Sequence, residues 1–328
     1  MKSCSQCRRA NPTGPAHRIA EYSLEELTNR ASMLDVRRLR LLVELSRRGT
    51  IAAVAQALSF SPSAVSQQLS VLEKEAGATL LEPLGRRVRL TAEGELLVEH
   101  ATTILAQLES AQAALAGLRG DVTGTIKVAA FQSAVLSLLL PTIRQLGHTH
   151  PGCRVEVTEL EPEVSIPALV AGDFDLVLGE EYPDHPLPLV PGVEREDLTV
   201  DPLELAVPAA WEQATTLTSI AARPFAMEPL GTTSRTWSTT LCRTAGFEPD
   251  VRYTSTDLQI HLRVVEEGLA AALLPGLAGA RHHPGVTLRP LPGHPHRRVF
   301  TATRVGGREH PRVALVRNAL KDACTAAS

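Results

Sequence analysis

Residues 50–73, TIAAVAQALSFSPSAVSQQLSVLE, decide how this chain is read. Ile51, Val54, Ala55 and Leu58 recur at helical spacing, which predicts a short helix with one apolar face. Ser59, Phe60 and Ser61 interrupt the pattern, and Ser61 is placed to cap a second helix that has Pro62 at its first position. On that helix Val65, Leu69 and Leu72 form the inner face, while Ser63, Ser66, Gln67 and Ser70 point largely outward. Two short helices across a tight turn, with a polar outer face, describe a helix-turn-helix whose second helix enters the DNA major groove. Taken alone, the same pattern also fits a helical hairpin inside an ordinary core.

The flanking text separates the two readings. Upstream, a helix over residues 35–46 turns Val36, Leu39, Leu42 and Val43 inward and Arg37, Arg38 and Arg40 outward. Downstream, Gly77 stops the second helix, and LLEPLGRRVRLT, residues 80–91, reads as a short hairpin turning at Leu84 and Gly85. Arg86, Arg87 and Arg89 on so small a hairpin suit phosphate or minor-groove contacts, although a solvated charged edge has the same composition. From Thr91 to about Leu118, Leu97, Ala101, Ile104, Leu108, Ala111, Leu115 and Leu118 are spaced by fours and threes. That seam implies pairing with another helix, either in a second copy or on the chain's own next domain. A symmetric dimer would present two recognition helices to a near-palindromic operator.

Residues 34–118 resemble the DNA-binding domain and linker helix of the LysR-type transcriptional regulators. The resemblance rests on a collinear series: Gly49, Thr50, Ala53, Ala55, Leu58, Ser61, Ser63 to Ser66, Leu72, Glu73, Gly77, Leu80, Glu82, Gly85, Arg86, Leu90, Thr91 and Gly94. It implies DNA contacts from Ser61, Pro62, Ser63, Ser66, Gln67, Gln68, Arg86, Arg87 and Arg89, and dimerisation through Leu97, Ile104, Leu108 and Leu115. Three departures stand out. Family members often carry a long polar residue in place of Pro62, an arginine in place of Gln67 and another in place of Pro83. The operator sequence therefore does not carry over from relatives.

After Gly124 strands and helices alternate: TIKVAA, a helix capped by Ser133 that runs through Leu136, Leu139 and Leu140, CRVEVTEL, a helix from Val164, and DFDLVLG. Alternation predicts a parallel sheet with ligands at the carboxyl ends of its strands. A second set follows from LELAVP, residues 203–208, and crossovers near Asp201 and near Pro292 to Pro295 would enclose a cleft. This part is similar to the family's effector domain. The whole is thus expected to be an α+β multidomain chain: a winged helix-turn-helix (34–91), a long linker helix (92–120) and a two-subdomain α/β effector domain of periplasmic-binding-protein type (124–328). Subdomain I would take about 124–201 and 296–328, and subdomain II about 202–295.

The loop Phe131, Gln132, Ser133 lies at a predicted helix N-terminus, where free N–H groups and a hydroxyl suit an anion or carboxylate. The resemblance also places effector contacts at Gln132 and Ser133. Glu161 and Glu180 end two strands, and Thr232, Thr233 and Ser234 lie on a facing loop, where they would either touch an effector or merely cap turns. The two glutamates would give an acidic rim, selecting an amine or a polyhydroxyl ligand.

Composition sets the outer bounds. The chain has 328 residues, 44% hydrophobic and 21% charged, as in ordinary globular proteins of two or three domains. No apolar run reaches membrane-spanning length, so a cytoplasmic location with no membrane partner is expected. Residues 34–91 carry nine Arg or Lys against five Asp or Glu, and residues 92–328 carry 19 against 28. A basic module on an acidic body implies that only the first meets a polyanion. Residues 1–33 read as a disordered extension, and Met33 is an alternative start. Their Cys4 and Cys7 lack the second pair that a zinc site needs. His282, His283, His294, His296 and His310 fall in loop text and read as solvated, so no metal and no cofactor is expected. No GxSxG, Walker-type loop, dinucleotide fingerprint or HExxH occurs, which leaves an enzyme or plain ligand-binding protein as a weaker alternative. A redox sensor on Cys153 or Cys242 is weaker still. The expected function is a sequence-specific DNA-binding transcription regulator whose C-terminal cleft senses a small molecule, working as a homodimer or homotetramer on double-stranded DNA.

Overall fold

A computed structural model describes residues 33–85, 87–119 and 122–327. The expectations for residues 1–32, and for Arg86, lie outside the described residues. Two compact units divide at Leu96 and Leu97.

In the first unit, α1 (Val36–Arg48) starts where Asp35 accepts from the Arg37 and Arg38 amides and ends at Gly49, whose φ of 73° only glycine adopts readily. Leu39, Leu41, Leu42, Val43 and Leu45 are buried. Val36 was expected inside but is exposed, because it opens the first turn beyond the edge of the core. Arg38 was expected outside, yet it is half-buried and donates to Glu75 at 3.0 Å and to Gln68 at 3.1 Å. Next come α2 (Ile51–Ala57), capped by Thr50, and α3 (Pro62–Ala76), capped by the Ser61 hydroxyl and closed by Gly77. Val65, Leu69 and Leu72 are its buried stripe. The Glu73 carboxylate then accepts from the Leu80 and Leu81 amides at 2.9 and 3.1 Å, tying α3 to the antiparallel hairpin β1 (Leu81–Leu84) and β2 (Arg87–Leu90).

The helix α4 (Ala92–Arg119) contains the division between units. Near its start Gly94 lies so close to the Leu80 carbonyl that a Cβ there would collide with backbone. Gly94→Ala is accordingly expected to destabilise the first unit by about 1–3 kcal/mol, as overpacking does. An unchanged urea midpoint for the isolated transition of that unit would contradict this.

In the second unit Ala101 and Ala113 of α4 are buried, and Arg304 donates to Glu109 at 2.7 Å. Ile104, Leu108, Leu115 and Leu118 remain exposed. The helix therefore has a docked face and an open apolar seam, so both expected packings have residues to serve them. Then follow β3 (Gly124–Ala130), the short α5 (Gln132–Ala134), a π-helical turn (Val135–Leu139) and α6 (Leu140–Thr149). The extra residue per turn in the π segment shifts the helical register. Along it Leu136 and Leu140 are exposed, while Leu138 and Leu139 are buried. The elements β4 (Cys153–Glu159), α7 (Pro162–Ala171) and β5 (Leu176–Glu181) complete the first half of this lobe.

The 16-residue β6 (Val193–Pro208) crosses into the second lobe, made of β7 (Pro224–Met227), α8 (Thr233–Thr244), β8 (Asp250–Thr254), α9 (Leu258–Glu266), β9 (Ala271–Pro275) and β10 (Val286–Pro290). The chain returns through β11 (His296–Arg304) to α10 (Pro311–Ala327). The strand order is β4-β3-β5-β11-β6-β9-β7-β8, with β10 on β6. The expected parallel sheet needs correction. β3 pairs parallel with β4 and β5, and β7 with β8 and β9, but both crossover strands run antiparallel to their neighbours. The crossover expected near Asp201 is β6, and Pro202 falls where that strand exchanges β11 for β9, so its missing N–H costs no ladder bond there.

Candidate functional site

On the first unit the face of α3 opposite its buried stripe exposes Ser61, Pro62, Ser63, Ser66 and Gln67. Ser61 and Ser63 hydroxyls lie 3.0 Å apart, and Ser61 also caps Ala64. Gln68 was expected among the DNA contacts. Its Oε1 instead accepts from Arg38, which places its side chain toward α1. On the hairpin Arg87 and Arg89 are exposed, and Arg89 donates to Glu82 across the strands at 2.8 Å. A cross-strand ion pair of this kind fixes the direction of the Arg89 side chain without burying its charge.

In the second unit a cavity of about 200 Å³ opens between the two lobes. Glu161, Pro162, Glu163, Glu180 and Tyr182 line it from the first, and Glu228, Gly231, Thr232, Thr233 and Ser234 from the second. Glu161 precedes α7 but its side chain caps nothing, and Thr232 caps α8 while facing the cavity. The Thr233 hydroxyl donates to Glu163 at 2.7 Å, bridging the lobes at the cavity edge. Burial, and then the neighbouring Glu180, Glu228 and Glu163, push the Glu161 carboxyl up to about 8. Burial also pushes Glu180 up to about 7, against the pull of Arg297, and raises Glu228 although Ser234 and Thr232 hydrogen-bond it.

Behind this wall lies Arg297, 1% exposed. Its Nε donates to Asp201 at 2.8 Å and its Nη2 to the Ser133 hydroxyl at 2.7 Å, while Nη1 pairs with Glu180. Its guanidinium stacks 4.8 Å from the centre of the Phe131 ring. Asp201 also accepts from the Leu277 amide, so the cluster joins both crossover strands to both lobes.

The structure divides the residues expected at the effector site. Glu161, Glu180, Thr232 and Thr233 do come together around the cavity. Phe131, Gln132 and Ser133 do not line it. Phe131 is buried under Arg297, and Ser133 is no helix cap but an acceptor for that arginine. Gln132 donates to Asp257 at 2.7 Å and accepts from the Leu258 amide at 2.8 Å, so it too is spent on joining the lobes. The side chains of this loop are engaged from within. Sequence reading missed Glu163, Tyr182, Glu228 and Arg297. For Arg297 a clue existed: it shares the inward side of β11 with Val299, and an arginine on that side needs buried partners.

Elsewhere Cys153, Cys242 and Cys324 are buried, and burial pushes the Cys242 thiol up to about 12. Such thiols present little thiolate for redox chemistry. Among the described residues no group of three His, Cys, Asp or Glu is arranged to hold a metal ion, and no helix is long and apolar enough to cross a membrane.

Comparison with known families decides the kinship. The LysR substrate binding domain matches residues 119–325, and the bacterial regulatory helix-turn-helix of the lysR family matches residues 36–95. This chain is a LysR-type transcriptional regulator. The regulator is 26% identical over 266 residues to the HTH-type transcriptional regulator AlsR of Bacillus subtilis, covering 79% of this chain and 86% of that one. It is 32% identical over 166 residues to ClcR of Pseudomonas putida, a match spanning 50% of this chain and 56% of that protein. Full-length OxyR from Pseudomonas aeruginosa shares its fold with a TM-score of 0.65 at 22% identity, covering 88% of this chain and 95% of that one. The regulator is therefore a DNA-binding transcription factor with a substrate-binding domain, and not an enzyme.

Proposed function

We propose that the regulator works in the cytoplasm, reads a near-palindromic operator with α3 and its wing, pairs as a homodimer or homotetramer through Leu97, Ile104, Leu108 and Leu115, and senses a small effector in the inter-lobe cavity. The functional parts would be residues 34–91 for DNA, 92–120 for pairing and 124–328 for the effector. The observation that carries the effector half is the cavity itself: each lobe contributes side chains to it. A ligand that touches both lobes shifts their relative orientation by its difference in affinity for the two arrangements. On the DNA half, the exposed Ser63 and Gln67 supply short hydrogen-bonding groups to base edges, and exposed Arg87 and Arg89 supply charge to the backbone.

Footprinting and a salt titration test the DNA reading together. Operator affinity should fall steeply with salt. Replacing Arg86 and Arg87 with alanine should weaken binding to all sequences and reduce the salt slope of a bound dimer by about 4, one per lost phosphate contact on its two wings. Replacing Ser63 or Gln67 should instead change the preference among sequences. A double arginine variant with the wild-type salt slope would remove the wing from the interface.

A further inference from the structure

The cavity's chemistry narrows the class of effector, on the reading that this cavity is the effector site. We propose that it takes an organic cation, a small amine or polyamine, with its charge held between Glu161, Glu180 and Glu228 and its hydroxyl-facing side against Thr232 and Ser234.

Four of the ten lining residues are glutamates and none is Lys, Arg or His. The nearby guanidinium of Arg297 is already divided among Glu180, Asp201 and Ser133. The threonine and serine hydroxyls already lie against acceptors: Thr233 donates to Glu163, Thr232 lies against the Pro229 carbonyl and Glu228, and Ser234 against Glu228. An anionic ligand would thus meet acidic side chains and no basic one. Two helix N-termini, those of α7 and α8, do reach the cavity rim. Each is worth roughly half a positive charge, and Pro162 removes one N–H from the first. Half charges at the rim do not make up for a lining that is acidic and carries no basic side chain.

The glutamates themselves show what is missing. Glu161 faces Glu180, Glu228 and Glu163 with only Arg297 in opposition, and burial holds its proton on well into the neutral range. Glu180 faces Glu228, Asp201, Glu163 and Arg297. Protons stand where a cation would neutralise the same groups. An entering ammonium therefore releases protons to solvent as the carboxyls ionise against it, and its charge-assisted hydrogen bonds replace them. The carboxyls ring a cavity and do not converge on one point, and the described residues form no metal-ion cluster, so the fitting cation is an extended organic one.

The test uses the full chain and matched probes: putrescine, butanediol and succinate, then phenethylamine, phenylethanol and phenylacetate. Thermal shift and titration calorimetry are run on wild type and on Glu161→Gln and Glu228→Gln. The expected result is stabilisation by amines alone, with buffer-dependent heats near pH 7 that report proton release. Each glutamine variant, whose unliganded melting is checked separately, should lose about tenfold in amine affinity, the scale of one charge-assisted hydrogen bond. Stabilisation by a diol or a carboxylate without the amine, or glutamine variants that bind the amine as wild type does, would overturn the cationic class and leave the cavity as an effector site. If no probe of any charge stabilised the wild type, both the class and the effector reading of the cavity would fall.

Discussion

Arg297→Ala is expected to lower the stability of the C-terminal unit by about 3–5 kcal/mol near pH 7, the scale for breaking a buried ion pair from one side. The side chain is 1% exposed and its partners Asp201 and Glu180 are nearly as deep, at 3% and 10%. Removing the guanidinium leaves two carboxyl groups in a low-dielectric site, an unpaired Ser133 hydroxyl and a space over the Phe131 ring. Urea denaturation followed by circular dichroism measures the loss. A further variant and a change of pH apportion it. Arg297→Met combined with Asp201→Asn and Glu180→Gln removes the charges together, and should recover most of the stability because no ion is stranded. Lowering the pH should also narrow the gap for Arg297→Ala, since the stranded carboxyls then take up protons. A deficit below about 1 kcal/mol, the typical value for an exposed pair, would mean that the cluster is not the joint between lobes.

The same cluster explains why the sequence was readable in one half and misread in the other. The helix-turn-helix is built from local signals. Ser61 before Pro62, the stripe Val65, Leu69 and Leu72, and Gly77 at a φ of 63° each act within one or two turns, and the structure uses each as expected. Lobe boundaries also left local marks in Pro202 and Pro295. The effector site is different. Gln132 and Ser133 stood at a helix start that suited an anion, but Arg297 reaches Ser133 over 164 residues and Gln132 meets Asp257 over 125. No periodicity within a window of sequence reports such a pairing. Glu228 and Tyr182 were overlooked because a lone Glu after a buried strand, or a lone Tyr, reads the same whether or not it faces a cavity. Glu161 and Glu180 were read as strand ends, whereas Glu161 lies past the end of β4 and Glu180 within β5; only the three-dimensional wall shows that they face each other and compete for ionisation.

That competition makes the unliganded C-terminal unit sensitive to pH in a direction opposite to most carboxylate-dependent folds. Glu161 titrates near 8 in the folded protein against 4.5 in the unfolded chain, and Glu180 near 7. Between the two values the folded state binds more protons than the unfolded one, so stability falls as pH rises. The contribution is fully present below about 4.5, declines from there, and is lost once pH passes the folded values of about 7 and 8. At about 1.4 kcal/mol per unit the Glu161 shift sets a ceiling near 5 kcal/mol, and its partial exposure reduces the expectation to about 2. Glu161→Gln should therefore match wild type near pH 5 and exceed it by about 2 kcal/mol near pH 9, while losing the corresponding part of the slope. The glutamine comparison isolates this group from the general repulsion within an acidic domain. Denaturation midpoints across that range decide the matter, and a Glu161→Gln profile parallel to wild type would show that the carboxyl ionises freely in the empty cavity. A bound amine should mimic the substitution at high pH, because it neutralises the same charge from within the cavity that the glutamine variant never develops.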